Sequence, residues 1–279
     1  MSRTILITGA TGQQGGATLH NLLGKGFTLR AMTRKPDSEK ARALANAGVD
    51  VVQGDLDDAE SLKRALAGAW GVYAVQNTWE AGVTLEEEQG KRVAELARAA
   101  GVEHFVYASV GSAHRETGIP HFENKSRVEE TIRSLQFAST VIIRPVFFME
   151  NLLSPMFLNG ATLISTLQPS TRLQMIAVED IGIFGVLAFT RAADLNGRAL
   201  DIAGDAVTMP EAAAILSREL GRPIAYLQIP LAEVRKNSED VAMMLEWFDT
   251  VGYNASIDGL EREFGLRMLS LEAWARKQA

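Results

Sequence analysis

Gly9, Gly12, Gly15 and Gly16 follow directly on the β-branched run Thr4–Thr8. Glycine weakens strands and helices alike, so a cluster at a strand–helix junction points to a ligand that needs bare backbone. The stretch Gly9-Ala10-Thr11-Gly12-Gln13-Gln14-Gly15 reads G-x-x-G-x-x-G. In such a loop Gly9 permits a tight turn, Gly12 lets the backbone approach a pyrophosphate, and Gly15 lets the helix pack closely on the sheet. Backbone N–H groups at the helix start then face the phosphates. An ordinary strand–helix turn is the bland alternative. The strand before and the helical spacing of Ala17, Leu19, Leu22 and Leu23 after favour dinucleotide binding.

The end of the second strand bears on the ribose. An NAD site usually carries an acid about 20 residues past the glycines to hold the 2′-OH. Here the chain reads Thr33-Arg34-Lys35-Pro36. A guanidinium can grip a 2′-phosphate and stack on adenine, so the expected cofactor is NADP(H), with Arg34 and Lys35 on the phosphate. Two solvated surface cations are the alternative. Asp55, with Leu56 beside it, follows the third strand; its spacing fits either contact with adenine or capping of the next helix.

Alternating strand-like and helix-like segments position these residues. Thr4–Thr8, Thr28–Thr33, Val49–Gln53, Gly71–Gln76, His104–Val110 and Ser139–Pro145 read as strands. Helical patterns lie between them over residues 38–47, on to Ala67 from a cap at Asp57 or Asp58, over Leu85–Ala100 and over Phe122–Leu135. Glu86, Glu87 and Glu88 suit the positive N-terminal end of the third of these. Strands separated by such helices pair in parallel through right-handed crossovers. The expected fold is α/β, a doubly wound parallel Rossmann sheet with a smaller C-terminal α/β lobe. The expected division is residues 1–150 for NADP(H) and 151–279 for a substrate or partner lobe. After Arg144 the periodicity fades; Phe147, Phe148, Met149, Met156 and Phe157 either line an apolar cleft or close the core.

The 279 residues carry 28 basic and 34 acidic side chains, a net charge of −6. With no basic run, direct binding to nucleic acid or an anionic membrane is not expected. The absence of cysteine excludes disulfides, thiolate catalysis and cysteine metal sites. His20, His104 and His114 show no ligand spacing, so no metal is expected. The opening residues lack a signal-peptide pattern. The densest apolar run, Ile181–Phe189, is about half a membrane span. A cytoplasmic location is the expectation.

Taken together, "TGATGQQGG", "TRKP", "VVQGDLDD", "HFENK" and "FMENLL" resemble the NmrA-like members of the atypical short-chain dehydrogenases/reductases, and especially the NmrA-like redox-sensor proteins. The resemblance is strong over residues 3–155 and loose beyond. It implies NADP(H) held by Gly9, Ala10, Thr11, Gly12, Gln13 and Gln14, with Arg34 on the 2′-phosphate and Asp55 and Leu56 beside adenine. It further implies that Gln76 and Asn77 pass near the ribose and that Phe148, Met149, Glu150 and Asn151 border the nicotinamide. Lys125 would contact the nicotinamide ribose. Active reductases of the superfamily use Tyr-x-x-x-Lys; this chain has His121-Phe122-Glu123-Asn124-Lys125. Positions four apart share a helix face, so His121 can approach the same site, but imidazole is a poorer proton donor at neutral pH than a tuned tyrosine. Ser109 stands where the superfamily often carries a catalytic Ser or Thr, or it satisfies strand-end backbone. Three functions follow: a nucleotide or redox sensor acting through a regulatory protein partner, an NADPH-dependent oxidoreductase of a small apolar quinone or carbonyl, and a nucleotide-binding protein without turnover. The missing tyrosine favours the first.

Overall fold

In the computed structural model, which describes residues 2–279, six strands form where the sequence runs apolar. They are β1 (Thr4–Ile7), β2 (Thr28–Thr33), β3 (Asp50–Gln53), β4 (Gly71–Ala74), β5 (His104–Ala108) and β6 (Ser139–Pro145). Among the described residues they join the strand Arg198–Ile202 in one sheet, in the order β3, β2, β1, β4, β5, β6, Arg198–Ile202. Neighbours from β3 to β6 all pair in parallel. Every residue of β5 is buried, as expected of a strand with both sheet faces covered.

Helices α1 (Gln13–Leu22), α2 (Glu39–Asn46), α3 (Ala59–Leu66), α4 (Thr78–Ala81), α5 (Val83–Ala99) and α6 (Pro120–Ser134) lie between the strands. Ser38 caps α2 by accepting from Ala41 N, and Asp58 caps α3 by accepting from Glu60 N. Leu62 and Leu66 of α3, Val93 and Ala97 of α5, and Val128 and Ile132 of α6 share one core with Leu6, Val72 and Phe105 of the sheet. Strand order reverses at β1, which lies between β2 and β4. In open α/β sheets the crevice beyond the carboxyl ends at such a reversal is where ligands bind.

The chain divides into two units. The first runs to Ser109 and resumes over Glu123–Arg144 and Ile181–Leu200; the second comprises Val110–Phe122, Pro145–Asp180 and Asp201–Ala279. Helix α6 and the helix Val178–Thr190 therefore each begin in the second unit and continue in the first. The second unit has its own core, including Phe147, Met149, Leu163, Trp247, Phe248 and Trp274. Its strands form two three-stranded sheets. The stretch after Arg144 lacks a readable period because its strands are two to five residues long. Among the described residues, no helix is long and apolar enough to cross a membrane.

Candidate nucleotide site

The glycine loop joins β1 to α1 and is shaped by what a side chain would strike. Gly9 has φ +58°, and a Cβ there would stand 2.7 Å from Val75 Cγ1. A Cβ on Gly15 would stand 2.4 Å from Gly9 O and 2.6 Å from Thr8 O. The turn closes through Gly12 N donating to Gly9 O at 2.9 Å. Gly12 is also the N-cap of α1, and no side chain caps that end. The first-turn N–H groups therefore lack partners within the helix and are available to an anion. Thr8 Oγ1 ties the end of β1 to β4, accepting from Val75 N at 2.8 Å and donating to Val75 O at 2.9 Å.

Buried polar atoms mark the same region. Gln14 Oε1 and both amide atoms of Gln76 are buried without a hydrogen-bond partner. Such atoms are costly unless something supplies the missing bond. A dinucleotide, rich in hydroxyls and phosphate oxygens, fits that demand and the bare glycine cradle alike. Asn77 caps α4 by accepting from Trp79 N at 3.2 Å.

A cleft of about 400 Å³ at the carboxyl ends of β2 and β3 is lined by Arg34, Gln53, Gly54, Asp55, Asp58, Ser61 and Arg64. Capping of α3 falls to Asp58, while Asp55 accepts from Asp57 N at 3.0 Å and stands on the cleft wall. Leu56 packs against the core of the first unit. Arg34 is ion-paired with Glu80, whose hydrogen bond raises the guanidinium pKa further above its ordinary value. Lys35 is exposed, its backbone N–H donating to Thr33 Oγ1 at 3.2 Å.

Lys125 is the hub of a second cluster in the first unit. Its Nζ donates to Glu86 Oε1 at 2.7 Å and stands 6.0 Å from the Tyr107 ring centroid. Thr78 Oγ1 and Asn124 Nδ2 both donate to Glu86 Oε2. Burial pushes the Glu86 carboxyl up, but the Lys125 ammonium with Thr78 and Asn124 prevails and holds it below the usual range. Ser109 belongs to a third cluster: its hydroxyl donates to Glu129 Oε1 at 2.6 Å, alongside Arg144 Nε at 2.8 Å. Arg133 Nη2 reaches Glu129 Oε2 at 2.8 Å. Burial raises this carboxyl too, and Arg144, Ser109 and Arg133 bring it down.

His121 and Phe148–Asn151 lie in the second unit. His121 Nδ1 bonds Asp240 Oδ1 at 2.6 Å. A carboxylate only accepts, so this bond places a hydrogen on Nδ1 and orients the ring. Phe148 and Asn151 are partly exposed, and Met149 is fully buried. Glu150 Oε1 accepts from Val178 N and Trp274 Nε1, both at 3.0 Å. Glu80 and Asp240 are partners that sequence patterns did not single out, and the pattern marks Glu86 only as an acid at a helix start. Among the described residues, no group of three or more His, Asp or Glu could hold a metal ion.

Comparison with known proteins agrees with this architecture. The family model described as the NmrA-like family matches residues 1–276. The chain is similar to (4-alkanoyl-5-oxo-2,5-dihydrofuran-3-yl)methyl phosphate reductase of Streptomyces griseus, 31% identical over 83% of this chain and 79% of that protein. It spans about half the length of several fungal NmrA-like oxidoreductases that it matches, 49% of one from Cladobotryum. In fold it is similar to the NADPH-dependent quinone oxidoreductase of Escherichia coli solved with NADPH, with TM-score 0.81, 23% identity and coverage of 98% and 99%. It is also similar to a negative transcriptional regulator, NmrA, solved with NADP, with TM-score 0.79, 20% identity and coverage of 99% and 95%.

Proposed function

Because the chain belongs to the NmrA-like family, we propose that it binds NADP(H) in its first unit and reports the bound nucleotide to a regulatory protein partner. The observation that carries the binding step is the uncapped N-terminus of α1 at Gly12, flanked by Gly9 and Gly15, where a side chain would clash. Gly9, Ala10, Thr11, Gly12, Gln13 and Gln14 cradle the pyrophosphate, and Arg34 and Lys35 meet the 2′-phosphate. Asp55 and Leu56 flank the adenine. Gln76 and Asn77 pass along the ribose, and Lys125 binds the nicotinamide ribose. The fold neighbours solved with NADP and NADPH support the cofactor. Sensing rather than turnover is supported by the side chains at the expected catalytic positions. Ser109 is engaged by Glu129, and histidine replaces the tyrosine acid.

A second reading, NADPH-dependent reduction of a small apolar quinone or carbonyl, is favoured by one contact, Asp240 on His121. In it NADPH would supply the hydride, and His121, oriented by its bond to Asp240, would give the proton to the substrate oxygen. The similarity to the Streptomyces reductase supports it. Titration with NADPH and NADP⁺, followed by a quinone and aldehyde screen with NADPH, separates the two. Sensing predicts tight binding of both nucleotides, no substrate turned over, and different hydrogen exchange at residues 145–170 in the two complexes. Turnover that needs Lys125 and rises in His121→Tyr supports the reductase instead. Binding of neither nucleotide overturns both readings.

A further inference from the structure

The Arg34–Glu80 ion pair occupies a particular place in the topology. Arg34 follows β2, and Glu80 lies on α4 after β4. The strand between β2 and β4 is β1, whose carboxyl end carries the glycine loop. A side-chain bond from the β4 side to the β2 side must therefore pass over the end of β1. We propose that Glu80 is a latch across the nucleotide crevice that imitates the 2′-phosphate, and that a 2′-phosphorylated adenosine opens it by taking Arg34 from the carboxylate. This rests on the NADP(H) reading above.

Three observations support it. Both partners are more than half exposed, at 57% and 54% of side-chain area, so the bond is the weak surface kind that a dianion can displace. Arg34 also lines the cleft whose other walls are Gln53, Gly54, Asp55 and Arg64, so its guanidinium is already at the place a ligand would enter. Finally, α4 is built to present Glu80. Thr78 at its start is fastened to the buried Glu86, Asn77 caps it, and Gly82 at its end has φ +80°. The carboxylate is thus anchored at one end beside a glycine pivot at the other. A ligand bearing only a 2′-OH has no charge with which to compete for Arg34. Glu80 on this account sets a threshold for the phosphorylated ribose, lowering its affinity and so moderating the preference for it, by making its capture displace a rival anion.

The test uses calorimetric titration of the full chain with 2′,5′-ADP and with 5′-AMP at physiological salt. In the wild type 2′,5′-ADP binds more tightly than 5′-AMP. In Glu80→Gln the affinity for 2′,5′-ADP rises about two- to fivefold, the range of an exposed ion pair, and that for 5′-AMP stays unchanged. Emission from Trp79, next to Glu80 and 62% exposed, shifts on adding 2′,5′-ADP to the wild type and not on adding 5′-AMP. An unchanged affinity for 2′,5′-ADP in Glu80→Gln, or equal gains for both ligands, overturns the latch while leaving NADP(H) binding intact. A wild type that does not prefer 2′,5′-ADP overturns the 2′-phosphate reading, and the latch with it.

Discussion

Glu86 and Glu129 in the first unit are each 1% exposed, and each lies against a cation: Lys125 at 2.7 Å for one, Arg144 at 2.8 Å for the other. In the second unit Asp180 is also buried and Glu150 partly so, but their hydrogen bonds come from neutral donors. Those donors are Val178 N and the Trp274 indole for Glu150, and Leu269 N for Asp180. The outcomes are opposite. Cations hold the first pair below the ordinary carboxylate range. Burial pushes Glu150 up and lifts Asp180 from 3.8 to about 6, and Glu179 adds repulsion to both. The unit expected to take a polyanion has cationic side chains ordered by buried acids. The other unit holds acids whose hydrogen bonds come from neutral donors alone.

Breaking a matched pair should give the largest effect. Arg144→Met leaves Glu129 charged and buried, which costs about 3–5 kcal/mol. Adding Glu129→Gln should restore much of that in urea unfolding. A small loss in the single variant would mean that the Glu129 charge is not carried by Arg144.

The second unit should respond in the other direction. A folded pKa raised above the unfolded one gives stability that is complete below 3.8 and is lost as pH rises through about 6. Asp180→Asn should therefore stabilise the second unit at pH 8 by about 3 kcal/mol and change little at pH 3.5. Asn keeps an oxygen for Leu269 N. Hydrogen exchange over the helix Glu239–Thr250, read against β5, localises the gain. Equal gains at both pH values would contradict the assignment.

His104 sharpens the contrast within the first unit. It is buried, bonded to Ala188 O and Ser139 Oγ at 2.9 Å each, and burial lowers its pKa from 6.5 to about 4. A carbonyl only accepts, so the hydrogen sits on Nε2 and the ring is neutral. Its stability is present above pH 6.5 and erodes as pH falls towards 4. At pH 5 the penalty is about 2 kcal/mol. His104→Gln should remove this dependence between pH 7 and 5, as seen in urea midpoints. An unchanged pH slope would show that another group sets it.

What was legible in the sequence follows from range. The strands β1 to β6 and the glycine loop are local patterns, and each stands where its spacing put it. Glu86 could be read as an acid at a helix start, one of three in Glu86-Glu87-Glu88. No local signal separates the one that turns inward to Lys125, 39 positions on, from the two beside it. Glu80 sits on a four-residue helix, too short for any period. Asp240 reaches His121 across 119 residues. The interleaving of the two units at α6 was equally hidden, since one amphipathic helix serves both cores.

The central claim is that the first unit recognises NADP(H) through Arg34, and Arg34→Ala tests it most directly. The guanidinium–phosphate bonds are worth roughly 1.5–3 kcal/mol. Fluorescence titration should show NADPH binding weakened by about 10- to 150-fold and NADH binding nearly unchanged. Equal losses for the two nucleotides, or none for either, would contradict the account.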